Sequence, residues 1–416
     1  MKILILTDAI EPFSHGGAQK SAYDMWQGYK KKGHQVIVAT TVQDIRLDQS
    51  KNILSNVYKF YADYHDRWRG FFSLWNPSLL GKLRKVLEKE KPDIVHVHNI
   101  HKYFSYSSLA LIKKMGIPLV LTIHDCMPIC YKKFTCFINK NDLAACGSDK
   151  RYKVSFWRCL ACQRGRLLIN PFRNYFVRYF IKKYPDKVIA VSQELQKLLR
   201  INGIRCDDFI HHGVDMDKFV TNEAQAISFK NEYKLNNKKI IFFGGRVSEA
   251  KGIDYLIKAV DFLYEKRQDF LLLIAGDKNY NVAHFRYDRI LTVGWLSQEK
   301  LNAAYTCADV VVYPSICFDT FGLINLEAMA MKKPVVATCF GGSKEVVIDG
   351  QTGFIVNPFD VKLMIEKIEY LLDNPNKAKE MGEAGYRRVV EKFTRRKEIE
   401  LYLHIFNMFL HKTGHV

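Results

Sequence analysis

Short apolar runs recur along the chain, and helical patterns separate most of them. In the first half these runs are KILILT, QVIVAT, DIVHVH, PLVLTIHD and KVIAVS; in the second half they are KIIFFGG, FLLLIAG, ILTVGW, DVVVYP and PVVATC. Continuous apolar runs of this length are typical of parallel strands that are buried on both faces. Because the strands alternate with helices, the pattern predicts an α/β fold built from βαβ units.

The polar stretch Thr221–Lys239 interrupts this alternation, which then restarts. A chain of 416 residues is long enough for two domains with separate cores. We therefore predict a first domain over residues 1–218, a second domain over 219–393 and a C-terminal helix over 394–416. One face of that helix is apolar, with Tyr402, Ile405, Phe406 and Phe409. Such a face needs a partner surface, and we expect the first domain to provide it.

The stretch VVYPSICFDTFGLINLE combines a buried strand, a short loop and the start of a helix. It places Asp319 just before the predicted helix, Gly322–Met331, and Glu327 inside that helix. Ligands of open α/β sheets bind beyond the carboxyl ends of strands, and a helix N-terminus attracts anions there. Two carboxylates beside an anion site could hold the hydroxyl groups of a sugar.

Basic residues follow the first predicted strand of the second domain. Gly244, Gly245 and Arg246 precede Lys251 and Gly252 on a loop that enters a helix. Two cations at such a place could neutralise a diphosphate, and arginine adds a planar fork of hydrogen-bond donors. The alternative interpretation is an ordinary basic surface loop.

The first domain offers glycines and histidines at the corresponding places. Gly16 and Gly17 lie in the turn between the first strand and its helix, where glycine permits close approach of a ligand to the backbone. His98 and His124 each end a predicted strand, and Asp125 follows the second of them. The alternatives are a plain glycine turn and histidines with a structural role.

Cysteines are concentrated in an insertion at residues 126–162. It contains six of the ten cysteines: Cys126, Cys130, Cys136, Cys146, Cys159 and Cys162. Cys159 and Cys162 have the spacing of half a zinc site, and Cys126 with Cys130 could supply the other half. The alternative is a loop of reduced thiols, which is the state expected of all ten cysteines in the cytosol.

The chain is strongly basic, with 63 Lys and Arg against 43 Asp and Glu and a net charge of +20. This charge implies an anionic partner, which could be nucleic acid, an acidic membrane or a phosphorylated substrate. No nucleic-acid-binding module is recognisable, so we do not expect nucleic acid. The segment Asn170–Tyr184 has aromatic and basic residues at helical spacing. It predicts a helix on an anionic membrane surface or, alternatively, a helix packed on the first sheet.

The predicted location follows from the apolar runs. None of them approaches the length of a membrane span, and KILILT follows Met1 directly, without a signal peptide. We therefore expect a cytoplasmic protein. The net charge of +20 and the segment Asn170–Tyr184 further predict that it is peripheral on the inner face of the cell membrane.

Several of these motifs occur together in one known family. GGRVSEAKGIDYLIKAV, LLIAG, GW and PSICFDTFGLINLEAMAMKKPVVAT in the second half, with GGA, PDIVHVHN, LTIHD and VIAVSQELQKLL in the first, resemble the retaining GT-B glycosyltransferases of family 4. The resemblance extends over nearly the whole chain. It implies two Rossmann-like domains that face each other across a cleft, with a nucleotide-sugar bound mainly to the second.

The resemblance also implies roles for the matching residues of the second domain. Arg246 and Lys251 would bind the donor diphosphate, and Glu327 would hold the nucleotide ribose. Asp319 would contact donor-sugar hydroxyls. Further donor-binding groups would lie at Gly245, Val293, Gly294, Phe321, Gly322 and Leu323.

In the first domain, the resemblance implies that Gly16 and Gly17 close over the diphosphate. His124 would approach the transferred sugar, while His98 and Asn99 would line the acceptor side.

The chain departs from the family pattern at two positions. The family has Glu where this chain has Asp319, so the carboxylate is one methylene shorter and donor preference could differ. The family usually has Asn-Gly-Val-Asp where this chain has His212-Gly213-Val214-Asp215, so histidine replaces asparagine.

Together these observations predict a retaining hexosyltransferase. The donor would be a UDP- or GDP-sugar and the acceptor a lipid-linked saccharide of cell-surface polysaccharide or lipopolysaccharide assembly. Neither a catalytic metal nor an organic cofactor is expected. The alternatives are a GT-B-like nucleotide-sugar epimerase and a non-enzymatic, basic protein that binds membrane surfaces.

Overall fold

The structure, a computed structural model, describes residues 1–13, 16–48, 56–130, 153–163, 170–235, 237–277 and 289–412. These residues form two compact units. The first comprises the described residues of Met1–Lys133, Asp149–His211 and Arg395–Val416, and the second those of His212–Thr394. Each unit contains one parallel sheet covered by helices.

The sheet of the first unit has seven strands in the order β3-β2-β1-β4-β5-β6-β7. All neighbouring strands are parallel. The strands are β1 (Lys2–Leu6), β2 (Gln35–Val42), β3 (Val57–Tyr61), β4 (Ile94–Val97), β5 (Leu119–Ile123), β6 (Lys187–Ala190) and β7 (Asp208–Phe209).

The helices of the first unit lie between these strands, except for the last helix of the chain. They are α1 (Gly17–Lys31), α2 (Arg69–Phe72), α3 (Pro77–Glu90), α4 (Ser107–Lys114), α5 (Phe156–Gln163), α6 (Arg173–Lys183), α7 (Gln193–Ile201) and α15 (Arg395–Lys412).

The sheet of the second unit has six parallel strands in the order β10-β9-β8-β11-β12-β13. They are β8 (Lys239–Gly244), β9 (Phe270–Ala275), β10 (Ile290–Gly294), β11 (Val310–Tyr313), β12 (Val335–Thr338) and β13 (Gly353–Val356). The helices are α8 (Glu223–Glu232), α9 (Ile253–Tyr264), α10 (Gln298–Cys307), α11 (Leu323–Ala330), α12 (Ser343–Val346), α13 (Val361–Asp373) and α14 (Pro375–Lys392). The predicted α/β class with two parallel sheets is confirmed.

Helix α15 completes the core of the first unit. Ile399, Tyr402 and Phe406 are buried in one cluster with residues of α1, β1 and β4. The start of α15 is held by Arg395, which forms ion pairs with Asp24 of α1 at 3.3 Å and with Glu398. Because all three charged side chains are buried, each depends on the others for its neutralisation.

The polar stretch Thr221–Lys239 contains α8, which packs on α10 within the second unit. One expectation needs correction. Cys339 is disulfide-bonded, so the expectation that all ten cysteines are reduced is wrong.

The zinc hypothesis stays a prediction. Cys136, Cys146 and the side chain of Cys162 lie outside the described residues. Among the side chains that the structure describes, no group of three His, Cys, Asp or Glu is arranged to hold a metal ion.

We predict that Phe406→Ala lowers the free energy of unfolding of the first unit by about 3–5 kcal/mol, because a fully buried aromatic side chain leaves a cavity in the core. Met408→Ala on the same helix is the control. Its side chain is 47% exposed, and we expect a change within about 0.5 kcal/mol. Urea unfolding measures both variants, and equal losses would show that α15 does not contribute to this core.

Candidate active site

Each sheet has a switch point, at which successive connections leave toward opposite edges. In the second unit, β8 pairs with β9 on one side and with β11 on the other, and β11 continues to β12. Open α/β sheets bind ligands beyond the carboxyl ends of the strands at such a point. The loops that follow β8 and β11 carry Arg246, Lys251 and Asp319, so topology places the three residues at the same edge.

The loops after β8 and β11 are in direct contact. The carbonyl of Ala250 accepts hydrogen bonds from the backbone N–H groups of Ile316 and Cys317, at 3.1 and 3.2 Å. Gly252 has a φ of +73°, and a Cβ atom there would lie 1.8 Å from the carbonyl oxygen of Pro314. Only glycine allows the two loops to approach this closely, and their approach sets the position of Lys251.

Lys251 directs its ammonium group into a small polar cluster. Its Nζ donates to the hydroxyl of Tyr313 and lies 3.6 Å from Oδ1 of Asp319. Burial by itself lowers the pKa of Lys251, but the nearby Tyr313 and Asp319 together raise it above its ordinary value. The lysine is therefore a permanent cation, and 21% of its side chain is exposed.

Asp319 lies on the inner side of this cluster and is almost fully buried. Its Oδ1 accepts from the Tyr313 hydroxyl at 3.4 Å, and its Oδ2 accepts from the Ser343 hydroxyl at 2.7 Å. Asn325 in turn donates to the Ser343 oxygen at 3.1 Å. The carboxylate thus has a protein partner on each of its oxygens.

Gly322 is the N-cap of α11, one residue before the helix begins at Leu323. Its φ of +79° lies in the left-handed region. An added Cβ would lie 2.6 Å from Asn325, 2.8 Å from Ser343 and 2.9 Å from Asp319. Glycine is therefore required both by the turn and by the hydrogen-bonded group beside it.

Glu327 lies one turn further along α11 and is buried. Its Oε2 accepts a hydrogen bond of 3.1 Å from the hydroxyl of Tyr305, whose ring packs edge-on against Phe242. Burial first, and then the charge of Glu327, raises the pKa of Tyr305 well above its ordinary value. Tyr305 consequently stays a hydrogen-bond donor and fixes the orientation of the carboxylate.

Arg246 differs from Lys251 in its surroundings. Its side chain is exposed and forms no ion pair among the residues that the structure describes. Gly245, Val293 and Gly294 lie at the carboxyl ends of β8 and β10, at the same edge of the sheet. Phe321 is buried just before α11.

In the first unit, the corresponding edge is formed by β1, β4 and β5. Gly16 is the N-cap of α1, and Gly17 is its first residue. His98 and Asn99 follow β4, and His124 follows β5.

His98 and His124 are buried and hydrogen-bonded to each other, with 2.7 Å between Nδ1 of His98 and Nε2 of His124. The ring of His96 lies behind them, 4.1 Å from the ring of His98. Burial lowers the pKa of His96 to about 3, so its imidazole is neutral at physiological pH. It contacts Tyr29 at 3.1 Å and Thr122 at 2.8 Å.

Three polar residues, Asn99, His101 and Asp125, line the same small cavity as His98. Nδ2 of Asn99 donates to Oδ2 of Asp125 at 3.2 Å, and Nε2 of His101 lies 3.8 Å from the same oxygen. Asp8 after β1 accepts three backbone hydrogen bonds from residues 102–104, which order the loop after β4. Burial, opposed by these hydrogen bonds, raises the pKa of Asp8 to about 6.

The structure therefore brings Lys251 and Asp319 into one cluster and His98 and His124 into another. Sequence patterns did not identify Tyr305, Tyr313, Ser343 and His96 as site residues. Tyr313 ends the strand that precedes the loop of Asp319, so its position carried a signal. Tyr305 and Ser343 come from a separate helix or loop, and only the folded chain brings them to the carboxylates.

Solved structures share this architecture. Sucrose-phosphate synthase from Thermosynechococcus elongatus aligns over 99% of both chains with a TM-score of 0.73 and 19% identity. Anabaena Alr3699/HepE, in complex with UDP-glucose, covers 97% of this chain and 99% of its own, with a TM-score of 0.69 and 18% identity. These likenesses show that the fold is GT-B, as predicted.

Sequence comparisons show the family. The family described as Glycosyltransferase Family 4 matches residues 15–218, and the one described as Glycosyl transferases group 1 matches residues 225–388. D-inositol 3-phosphate glycosyltransferase of Pseudarthrobacter chlorophenolicus is 34% identical in an alignment of 344 positions that covers 74% of each chain. The chain belongs to the family 4 glycosyltransferases. It is thus an enzyme of glycosyl transfer. Membership of this family favours the glycosyltransferase hypothesis over the epimerase and the non-enzymatic membrane-binding protein.

We predict that Gly322→Ala destabilises the second unit more than Gly350→Ala does. Both glycines have a left-handed φ, but an alanine Cβ at Gly350 meets no atom within 4 Å. Left-handed strain alone costs about 1–2 kcal/mol, and Gly322→Ala adds the displacement of Asp319 and Ser343. Urea unfolding compares the two variants, and an equal loss would contradict the close packing around Gly322.

Proposed function

We propose that the enzyme transfers a hexose-type sugar from a UDP- or GDP-linked donor to a lipid-linked saccharide, with retention of anomeric configuration. The observation that carries the donor part is the pair of cations on the loop after β8. Lys251 is held at the edge of the sheet by its ion pair with Asp319. Arg246 precedes it on the same loop and has an exposed side chain. Helix α9 begins directly after this loop and adds the positive end of its dipole. Together these groups suit a diphosphate.

Glu327 suits the ribose of the same nucleotide. Its carboxylate can accept hydrogen bonds from two neighbouring hydroxyls, and the Tyr305 hydroxyl orients it for this contact. A uridine nucleotide is one expected donor because a structure with the same fold, Anabaena Alr3699/HepE, is complexed with UDP-glucose. Backbone groups at Phe321, Gly322 and Leu323 would hold the sugar.

The chemistry needs stabilisation of the charge on the departing nucleoside diphosphate. Lys251 and Arg246 provide cations that are in place before the reaction, and such groups each contribute about 3–4 kcal/mol to lowering a barrier. Retention would follow from attack of the acceptor on the same face of the sugar. By family resemblance, His124 approaches the transferred sugar and His98 and Asn99 line the acceptor side.

A lipid-linked acceptor is supported by an aromatic surface on the first unit. We use this name for a set of aromatic side chains on α6 and around α2 that are each at least 40% exposed: Trp68, Phe71, Trp75, Phe172, Tyr175, Phe176 and Tyr179. The hydrogen bond from Asn170 to the carbonyl of Gly70, at 3.1 Å, joins the two elements. Helix α6 buries Val177 and Ile181 instead of its aromatic stripe.

Basic side chains lie along the same helix. Arg178, Lys182 and Lys183 are exposed on α6, and the whole chain has a net charge of +20. Aromatic side chains with cations beside them suit the interface of an anionic bilayer. None of the described helices is both long and apolar enough to cross a membrane. The proposed location is therefore peripheral, on the cytoplasmic face, where cell-surface polysaccharide or lipopolysaccharide is assembled.

We predict that Lys251→Ala and Glu327→Ala each lower sugar transfer by at least about 100-fold, since each removes a preorganised contact to the donor. Release of UDP or GDP from a panel of nucleotide-sugars, with and without lipid-linked acceptors, measures the activity. Circular dichroism and thermal unfolding test whether the variants are folded. Near-normal turnover of either folded variant would contradict the donor-site assignment.

We also predict that the double variant Phe172→Ser, Phe176→Ser weakens binding to anionic vesicles by about tenfold or more, because two exposed apolar rings are lost. Phe262→Ser is the matched control. Its ring is 55% exposed but belongs to the second unit. Co-sedimentation with phosphatidylglycerol vesicles at low salt makes the measurement. Unchanged binding of the double variant, or wild-type protein that ignores these vesicles, would contradict the membrane proposal.

A further inference from the structure

Three polar groups form a chain beside the loop after β8. The Lys251 ammonium donates to the hydroxyl oxygen of Tyr313, and the Tyr313 hydroxyl donates to Oδ1 of Asp319 at 3.4 Å. The ammonium also lies 3.6 Å from that oxygen and 4.9 Å from the centre of the tyrosine ring. Because Tyr313 is 3% exposed and ends a central strand, its hydroxyl is a rigid reference point for the flexible lysine.

The carboxylate of Asp319 is directed into the protein. Its Oδ1 accepts a hydrogen bond from Tyr313 and pairs with the ammonium of Lys251, and its Oδ2 accepts from Ser343 at 2.7 Å. The backbone of Asp319 is fixed as well, because its N–H donates to the carbonyl of Phe340 at 3.3 Å and its carbonyl accepts from the N–H of Gly342 at 2.7 Å. An aspartate is one methylene shorter than a glutamate, and this one is only 6% exposed. Its geometry suits the holding of Lys251 better than reaching a sugar.

We propose that Tyr313 and Asp319 are positioning residues that hold the Lys251 ammonium ready for the donor diphosphate, and that Asp319 does this instead of contacting a sugar hydroxyl. The inference rests on the proposed function, because it concerns the same donor site. Preorganisation is the physical reason: a lysine side chain that is already oriented loses less conformational freedom when the diphosphate binds.

The first experiment separates diphosphate positioning from sugar contact. Isothermal titration measures the binding of UDP, GDP, uridine and UDP-glucose to wild-type protein, Tyr313→Phe and Asp319→Asn. We expect both variants to bind the nucleoside diphosphate about tenfold more weakly, as is typical for loss of a hydrogen bond to a charged group. We expect the same loss for UDP-glucose and no change for uridine. A loss confined to UDP-glucose would instead assign Asp319 to the sugar.

Matched variants exclude a general structural effect. Tyr255→Phe removes a hydroxyl from a tyrosine of α9 that packs on Phe359, and it should bind like the wild type. In the Lys251→Met background, Tyr313→Phe should cause no further loss, since its effect passes through the lysine. Ser343→Ala replaces Asp319→Asn if the latter fails to fold, and it should weaken UDP binding in the same direction.

The outcomes are distinguishable. Wild-type protein that binds neither UDP nor GDP would overturn the donor part of the proposed function and this inference with it. Wild-type binding that Tyr313→Phe and Asp319→Asn leave unchanged would overturn the inference alone. The inference alone would also be overturned if Tyr313→Phe weakened UDP binding equally in the wild-type and Lys251→Met backgrounds.

Discussion

The contact between the loops after β8 and β11 is the constraint on which the candidate donor site depends. Those loops approach so closely that the Gly252 Cα position leaves no room for a Cβ against Pro314. The carbonyl of Ala250 joins them by hydrogen bonds to two successive backbone N–H groups. If the loops moved apart, Lys251 would lose Tyr313 and Asp319. A partly buried ammonium without partners is costly, so the loop contact and the ion cluster stabilise each other.

The two carboxylates of the second unit have different surroundings, although both are buried. Asp319 has a cation and two hydroxyls around it, whereas Glu327 accepts a hydrogen bond from the hydroxyl of Tyr305. Each carboxylate accepts a hydrogen bond from a tyrosine. Asp319 is oriented by Tyr313, which ends β11, and Glu327 by Tyr305 of α10. An arrangement of fixed acids and a fixed cation suits binding and charge stabilisation, because no reorganisation is needed when the donor arrives.

Much of the fold followed from apolar periodicity. Runs such as KIIFFGG and DVVVYP are strands β8 and β11, because a strand buried on both faces has no polar positions to obscure it. Lys251 and Asp319 could be placed at one edge because topology alone brings the carboxyl ends of parallel strands together. Tyr305 and Ser343 could not be anticipated, since their contacts depend on side-chain packing between elements far apart in sequence. Likewise, local pattern did not reveal α8 in a polar stretch, because a helix with no strong apolar stripe resembles a linker.

Asp319 lies where the family that the chain resembles has glutamate, and the packing around it suits the positioning role that we propose. The aspartate lies beside Tyr313 and Ser343, and both of its oxygens are within reach of protein donors. The Gly322 backbone closes the space around it, since any Cβ there would lie within 3 Å of the carboxylate. The proposed positioning of Lys251 therefore depends on the tyrosine, serine and glycine around the aspartate as well as on the aspartate itself.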